Sequence, residues 1–199
     1  MKKCMLITDI CKLSNIFRLK NFQVFREYSK LIYDIGLIDL MNVNSLNNME
    51  KASMIAYYLG SNTLNVKKEY FNFLNKNKIK NILYFFDLSF FKFEKLEEIK
   101  KEFDFIKDAS YSVNINIYIP TKMMSNSELF SLFNILIMLD LKSISIGNVY
   151  NEVNYDIENE FLKLRNYDLN ISIIADSITE DKNINCLKDK RVKELILKL

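Results

Sequence analysis

The sequence contains no histidine, and its 199 residues include only three glycines and one proline. Without histidine, catalysis that uses an imidazole as general base is excluded, and so are metal sites made of imidazoles. The glycines, Gly36, Gly60 and Gly147, are isolated from one another. They can therefore form neither a P-loop nor a GxGxxG dinucleotide-binding turn.

Cysteine is also scarce, with Cys4, Cys11 and Cys186 far apart and outside any CxxC motif. An odd number of distant cysteines argues against a zinc site and against a disulfide framework. Cys11 follows the first apolar run and could act as a nucleophile, but no histidine is present to activate it. We therefore expect buried, reduced thiols.

The chain lacks a strong charge and a long apolar segment. Its net charge of +3 comes from 28 basic and 25 acidic residues, and the lysines are scattered, which argues against nucleic acid as a partner. The N-terminal apolar run is broken by Asp9 and Lys12, unlike a signal peptide, and the apolar stretch 129–139 is too short to span a membrane. We expect a cytoplasmic protein with a single α/β domain over residues 1–199.

Short apolar runs alternate along the chain with segments of helical periodicity. The apolar runs predict strands at 4–8, 37–43, 80–89, 112–120, 142–148 and 169–177. The periodic segments predict helices at 22–34, 47–59, 66–76, 92–103, 127–140 and 154–166, with Ser125 or Ser127 as the N-cap of the fifth. Residues 104–110 fit either a helix or a strand, and the C-terminal end fits a helix or a helix–strand pair.

Repeated βα units without a hairpin signal predict an α/β fold with a parallel sheet. We count six or seven strands, one or two short of a full barrel, which typically needs about 250 residues. The fold expected is therefore TIM-barrel-like and incomplete, with an open parallel α/β sheet as the alternative. In both architectures, function gathers at the C-terminal ends of the strands.

Polar residues follow most of the predicted strands. They are Asp9, Asn42, Asn44, Asp87, Ser89, Thr121, Lys122, Asn148, Asp176 and Ser177. The three carboxylates among them, Asp9, Asp87 and Asp176, could converge on a hard cation such as Mg²⁺, or they could cap the helices and turns that follow. Asp87 could also serve as a single general base.

Three stretches of the sequence resemble a known enzyme family. They are LITDICKL, KLIYDIGLIDLMNVN, and LKSISIGNVYN taken with LKLRNYDLNISIIADSITEDKNIN. Together they resemble the catalytic TIM barrel of the homocitrate synthase and isopropylmalate synthase family, the pyruvate-carboxyltransferase-like and HMG-CoA-lyase-like enzymes. The resemblance implies a site for Mg²⁺ or Mn²⁺ in which Asp9 keeps the metal-binding aspartate, Asp176 replaces one metal-binding histidine, and Asn185 matches a downstream asparagine.

The chain departs from that family at several site positions. Leu13 stands where the family has the arginine that polarises the keto acid, Asn42 replaces an acidic residue, and Ile174 replaces the second histidine. The resemblance therefore implies a degenerate metal site in a pseudoenzyme or partner subunit, which binds a protein partner or forms a homo-oligomer. Two alternatives stay open. One is a residual Mg²⁺- or Mn²⁺-dependent aldol-type reaction of a small 2-keto acid with acyl-CoA, and the other is a non-catalytic α/β binding or scaffold domain.

Overall fold

Eight parallel strands form a closed barrel in which each strand pairs with the next along the chain. The architecture comes from a computed structural model, which describes residues 1–7, 30–34, 50–56, 60, 62–150, 154–176 and 185–198. The last strand pairs with the first, with Cys4 opposite Ile196. The strands are β1 (Lys2–Ile7), β2 (Lys30–Asp34), β3 (Glu50–Ile55), β4 (Asn81–Phe85), β5 (Asn114–Tyr118), β6 (Ser143–Gly147), β7 (Asn170–Asp176) and β8 (Val192–Lys198).

Helices connect the strands on the outside of the barrel. Those in the described part of the chain are α1 (Leu64–Lys76), α2 (Leu88–Lys92), α3 (Leu96–Ser110), α4 (Asn126–Met138) and α5 (Ile157–Leu162), together with 3-10 turns at Thr121–Met123 and Asn185–Lys188. Within these residues, none of the helices has the length and apolar character that a membrane span requires.

Local sequence signals explain where α4 begins and which side of α3 is buried. The hydroxyl of Ser125 accepts a hydrogen bond from the backbone N–H of Glu128, and the Glu128 carboxylate accepts one from the backbone N–H of Ser125. This is a capping box, which satisfies two otherwise unpaired donors. In α3, Ile99, Phe103 and Ile106 recur at helical spacing and are buried.

Four strands alternate polar residues with isoleucine or leucine, as in NINIY of β5 and SISIG of β6. The polar residues face the inside of the barrel. Asn116 of β5 donates to the Ser172 hydroxyl of β7 at 2.9 Å, and only the concave inner face lets a side chain reach past the strand between them. Because side chains alternate in direction along a strand, the isoleucines that lie between these polar residues, such as Ile117, Ile144 and Ile171, face the helices.

The TIM-barrel-like α/β fold predicted from the sequence is confirmed, and the barrel is closed rather than incomplete. The predicted number of strands was too low because β2 and β3 lie inside segments 22–34 and 47–59. Both segments were predicted to be helices, and that prediction is wrong at β2 and β3. Five- and six-residue runs with apolar residues on both faces fit either period, so periodicity alone does not distinguish them.

Other local predictions had mixed outcomes. Residues 104–110 belong to α3, the C-terminal end forms a 3-10 turn followed by β8, and α5 is shorter than the helix predicted over 154–166. The strand predicted over 37–43 lies outside the described residues.

Candidate functional site

The carboxyl ends of the parallel strands meet at one end of the barrel, which we call the mouth. An aromatic pair lies at its base. The rings of Phe85 in β4 and Tyr118 in β5 are 4.9 Å apart, and the Tyr118 hydroxyl donates to the carbonyl oxygen of Gly147 at 2.9 Å. Both aromatic residues are buried. They form an apolar floor beneath the mouth.

Lys198 brings an amine to the mouth. It ends β8 and shares the inner face with Glu194 and Ile196, because alternate residues of a strand point the same way. Its Nζ donates to the backbone carbonyl of Asn148, which follows β6, at 2.9 Å. In the register of the barrel, Lys198 is paired with Asp176 at the end of β7. The amine therefore crosses the end of β7, partly buried.

Gly147 allows β6 and β7 to approach closely just below Asn148. Its φ of 144° lies outside the range that other L residues readily adopt. A Cβ at this position would lie 2.0 Å from the carbonyl oxygen of Ile174. Glycine is therefore required here, and the carbonyl that accepts the Lys198 amine is placed by that close approach.

A second polar group lies after β5, where the chain turns at Thr121–Met123. The Nζ of Lys163 donates to the Glu160 carboxylate at 2.7 Å and to the Thr121 carbonyl at 3.4 Å. The Thr121 hydroxyl is fully buried and has no hydrogen-bond partner in the described part of the chain. A buried hydroxyl without a partner is costly.

Asp87, predicted either to bind a cation or to act as a base, serves as the N-cap of α2. Its carboxylate accepts hydrogen bonds from the backbone N–H of Ser89 at 2.9 Å and from the Ser89 hydroxyl at 2.6 Å. The alternative in which this strand-end aspartate caps the following helix therefore holds for Asp87.

The other residues predicted to bind a metal are placed only in part. Asp9 lies outside the described residues, Asp176 is the last residue of β7, and Asn185 is exposed at the start of the 3-10 turn. Among the residues that the structure describes, no three histidine, cysteine, aspartate or glutamate side chains form a group able to hold a metal ion. The metal site at Asp9, Asp176 and Asn185 stays a prediction.

The cysteines that the structure describes, Cys4 and Cys186, are buried and form no disulfide. Burial raises the pKa of the Cys186 thiol to about 12, so this sulfur stays protonated and unreactive at neutral pH. Cys11, considered above as a nucleophile, lies outside the described residues.

Comparison with known proteins finds likeness only at the level of structure. No protein-family model matches the chain, and no curated protein matches it in sequence. Among solved structures, QR15, an aldolase, superimposes with a TM-score of 0.73 at 15% identity, covering 100% of this chain and 89% of that one.

Two further structures are assigned as deoxyribose-phosphate aldolases. The one from Coccidioides immitis has a TM-score of 0.72 at 9% identity, with coverage of 100% of this chain and 80% of that chain. The one from Aeropyrum pernix, described as a unique tetramer, has a TM-score of 0.64 at 14% identity, with coverage of 86% and 74%. Likeness at these identities establishes the fold alone.

These neighbours overturn the family assigned from sequence. They are aldolases, not homocitrate or isopropylmalate synthases, so the proposed synthase-like pseudoenzyme or partner subunit is wrong. The motif match placed a helix over KLIYD and the second strand at 37–43, whereas KLIYD is β2 itself. A 2-keto acid and acyl-CoA were expected as substrates only because of that family, so this expectation no longer has a basis. An open sheet would have favoured the scaffold alternative, and the barrel is closed.

Sequence reasoning missed Lys198. The alternation Glu194, Ile196, Lys198 in VKELILKL could have placed it on the inner face of a strand. The C-terminal end was left open between a helix and a helix–strand pair, so the inner face of β8 was not assigned.

Proposed function

We propose that this protein is an aldolase-type enzyme that cleaves or forms a carbon–carbon bond near a carbonyl group, with Lys198 as the amine that binds the carbonyl carbon. The observation that carries the proposal is the position of the Lys198 amine, on the inner face of the barrel at the mouth, 2.9 Å from the Asn148 carbonyl. Sites of TIM-barrel enzymes lie at this end and use residues from strand ends.

The chemistry follows from what a lysine amine does with a carbonyl compound. The neutral amine adds to the carbonyl carbon and water leaves, which gives a Schiff base. In cleavage, a base removes the proton of the β-hydroxyl, the bond between the α and β carbons breaks, and its electrons move to the iminium nitrogen. The resulting enamine takes up a proton at carbon, and water then releases the second carbonyl product and restores Lys198.

A proton carrier is needed beside the amine. Asp176 is the Cα partner of Lys198 in the register of β7 and β8, and carboxylates commonly act as general acids and bases. We assign this role to Asp176. The reaction needs no metal, so the predicted Mg²⁺ or Mn²⁺ site at Asp9, Asp176 and Asn185 is a separate proposal that metal titration tests.

The proposed substrate is a small hydroxyaldehyde or its phosphate. The apolar floor of Phe85 and Tyr118 suits a short carbon chain, and the structural neighbours include aldolases of deoxyribose phosphate. Since the Aeropyrum pernix neighbour is described as a tetramer, we also propose that this chain works as a homo-oligomer, in the cytoplasm.

Borohydride trapping tests the proposal directly. The protein is incubated with acetaldehyde or 2-deoxyribose 5-phosphate, reduced with sodium borohydride, and examined by peptide mass spectrometry. We expect one stable adduct on the peptide that contains Lys198, and none in Lys198→Met. The matched control is Lys193→Met, an exposed lysine of the same strand, which should trap like the wild type. An adduct that persists in Lys198→Met, or no adduct and no cleavage with either compound, would refute the assignment.

A further inference from the structure

The barrel interior is polar at the end opposite the mouth. In TIM barrels the inner layers are dominated by bulky branched side chains that fill the centre. Here the inner positions of the N-terminal halves of the strands carry other residues, namely Lys30, Asn81, Asn114, Asn116, Ser143, Ser145, Asn170, Ser172 and Glu194. Amides, hydroxyls and one pair of charges replace much of the usual apolar filling, and Ile32, Leu83 and Ile196 complete the lining.

These groups form a continuous hydrogen-bonded chain along the inner wall. The Ser145 hydroxyl donates to the Asn116 amide oxygen at 2.7 Å, and the Asn116 amide nitrogen donates to the Ser172 hydroxyl at 2.9 Å. That hydroxyl donates to the Glu194 carboxylate at 3.3 Å, whose other oxygen accepts from the Lys30 ammonium at 2.6 Å. The chain fixes the orientation of each group.

The wall encloses a cavity of about 410 Å³ that opens at the N-terminal end of the barrel. Its rim carries Lys2, Glu50, Asn170 and Lys193, and the small side chain of Ala52 leaves space inside. Ligand pockets generally measure about 300 to 1,000 Å³. The cavity is therefore large enough for a small molecule.

An apolar layer separates this cavity from the mouth. Closer to the C-terminal ends of the strands, the inner positions are Phe85, Tyr118, Ile174 and Ile196, each at most 2% exposed. Tyr118 directs its hydroxyl to the Gly147 carbonyl on the mouth side. The cavity and the proposed aldolase site are thus two distinct places in one barrel.

We propose that this cavity binds a small neutral polyhydroxy compound, such as a polyol or a monosaccharide. Its amides and hydroxyls offer both donors and acceptors, which the hydroxyl groups of such a ligand match. The interior charges, Lys30 and Glu194, already neutralise each other at 2.6 Å. The other charged residues of the lining, Lys2, Glu50 and Lys193, are exposed at the rim. A charged ligand inside the wall would therefore be buried without an opposite charge at its own depth, which is costly.

Calorimetric titration of the wild-type protein with xylitol and glucose, and with the charged analogues gluconate and glucosamine, tests this chemistry. We expect a neutral compound to bind and its charged analogues to bind at least about tenfold more weakly. Ser172→Ala should weaken binding about tenfold, because it removes one hydrogen-bonding group of the wall. The control, Ser131→Ala, changes an exposed serine of α4 and should bind like the wild type.

A second variant, Ala52→Leu, fills the cavity and should abolish binding, with circular dichroism confirming the fold. Binding that survives both Ala52→Leu and Ser172→Ala places the polyol elsewhere and overturns the proposal. So does the absence of binding by any neutral compound, which means that the cavity holds water only. Lys198→Met should leave polyol binding unchanged, so failure of the aldolase assignment is distinguishable from failure of this one.

Discussion

Lys67 of α1 and Glu102 of α3 form an ion pair that is shielded from solvent, at 1% and 3% exposure. The Glu102 carboxylate also accepts a hydrogen bond from the Tyr84 hydroxyl at 2.7 Å and one from the backbone N–H of Asp87 at 3.3 Å. Burial, reinforced by the neighbouring Glu102 charge, raises the pKa of Tyr84 well above its usual value. One carboxylate thus connects two helices to β4 and to the strand end at the mouth.

Removing one partner of this pair should destabilise the protein strongly. Lys67→Met or Glu102→Gln should lower the free energy of unfolding by about 3 to 5 kcal/mol, because the remaining group is left buried without its partner. The double variant Lys67→Met/Glu102→Gln should cost less than the sum of the two single variants. Urea unfolding measures these values, with the exposed neighbour Lys68→Met as control. If Lys67→Met costs no more than Lys68→Met, the pair contributes nothing to stability.

Tyr33 should make the protein sensitive to alkaline pH. It lies on the helix-facing side of β2, fully buried, and burial raises its pKa to about 12. An unfolded tyrosine ionises near pH 10, so the unfolded state loses its proton first. This contribution is fully present below pH 10 and is lost as the pH rises towards 12, on the order of 2 kcal/mol in all.

In the Tyr33→Phe variant, the free energy of unfolding should fall less between pH 8 and pH 11 than it does in the wild type. Urea unfolding at successive pH values in that range measures the difference. The variant should also gain about 1 kcal/mol at neutral pH, since the Tyr33 hydroxyl has no hydrogen-bond partner within the described residues. Tyr111→Phe, at a position 79% exposed, is the matched control. Equal alkaline slopes for the two variants would contradict the assignment to Tyr33.

Replacing Gly147 should disrupt the mouth. In Gly147→Ala, the new methyl would lie 2.0 Å from the Ile174 carbonyl oxygen on a backbone with φ of 144°, so either β6 or β7 must move. We expect a loss of at least about 3 kcal/mol of stability, or insoluble protein. Ser143→Ala, at the exposed start of the same strand, should stay within about 0.5 kcal/mol of wild type. Equal melting temperatures in the two variants would contradict the prediction, because they would show that β6 and β7 can move apart without loss of stability.

The capping box of α4 should contribute measurably to stability. Ser125→Ala removes the side chain that accepts the Glu128 N–H and should cost about 1 kcal/mol. Ser131→Ala, in the exposed middle of the helix, should be neutral or slightly stabilising because alanine has the highest helix propensity. Thermal unfolding of both variants compares them, and a smaller loss in Ser125→Ala than in Ser131→Ala would contradict this role.

The sequence predicted the fold where strand composition was unambiguous. NINIY, SISIG and NISIIAD alternate isoleucine with polar residues and form β5, β6 and β7. The alternation does not say which face meets water, since most sheets expose the polar face to solvent. Only closure of the barrel turns those residues inward, and closure depends on β2, β3 and β8, which local periodicity did not identify.

The candidate site was less accessible to sequence reasoning for a related reason. Asp87 was recognised as a strand-end residue, yet its hydrogen bonds to Ser89 assign it to helix capping. Lys198 reaches the mouth only because β8 pairs with β7 and with β1. The pairing with β1 joins the two ends of the chain. No pattern of nearby residues encodes a contact at that sequence separation.

Because polar groups line the inside of the barrel, most of its stabilising apolar contacts lie outside the sheet, between the strands and the helices. Residues such as Ile117, Ile144, Ile146, Ile171 and Ile173, at most 1% exposed, pack on the outer face of the strands, where most of the hydrophobic stabilisation arises. Substitutions of residues that face the inside of the barrel can therefore change its polarity without weakening the packing of strands against helices. A barrel of this kind is able to bind a different ligand after substitutions at a few inner positions, while its outer packing stays the same.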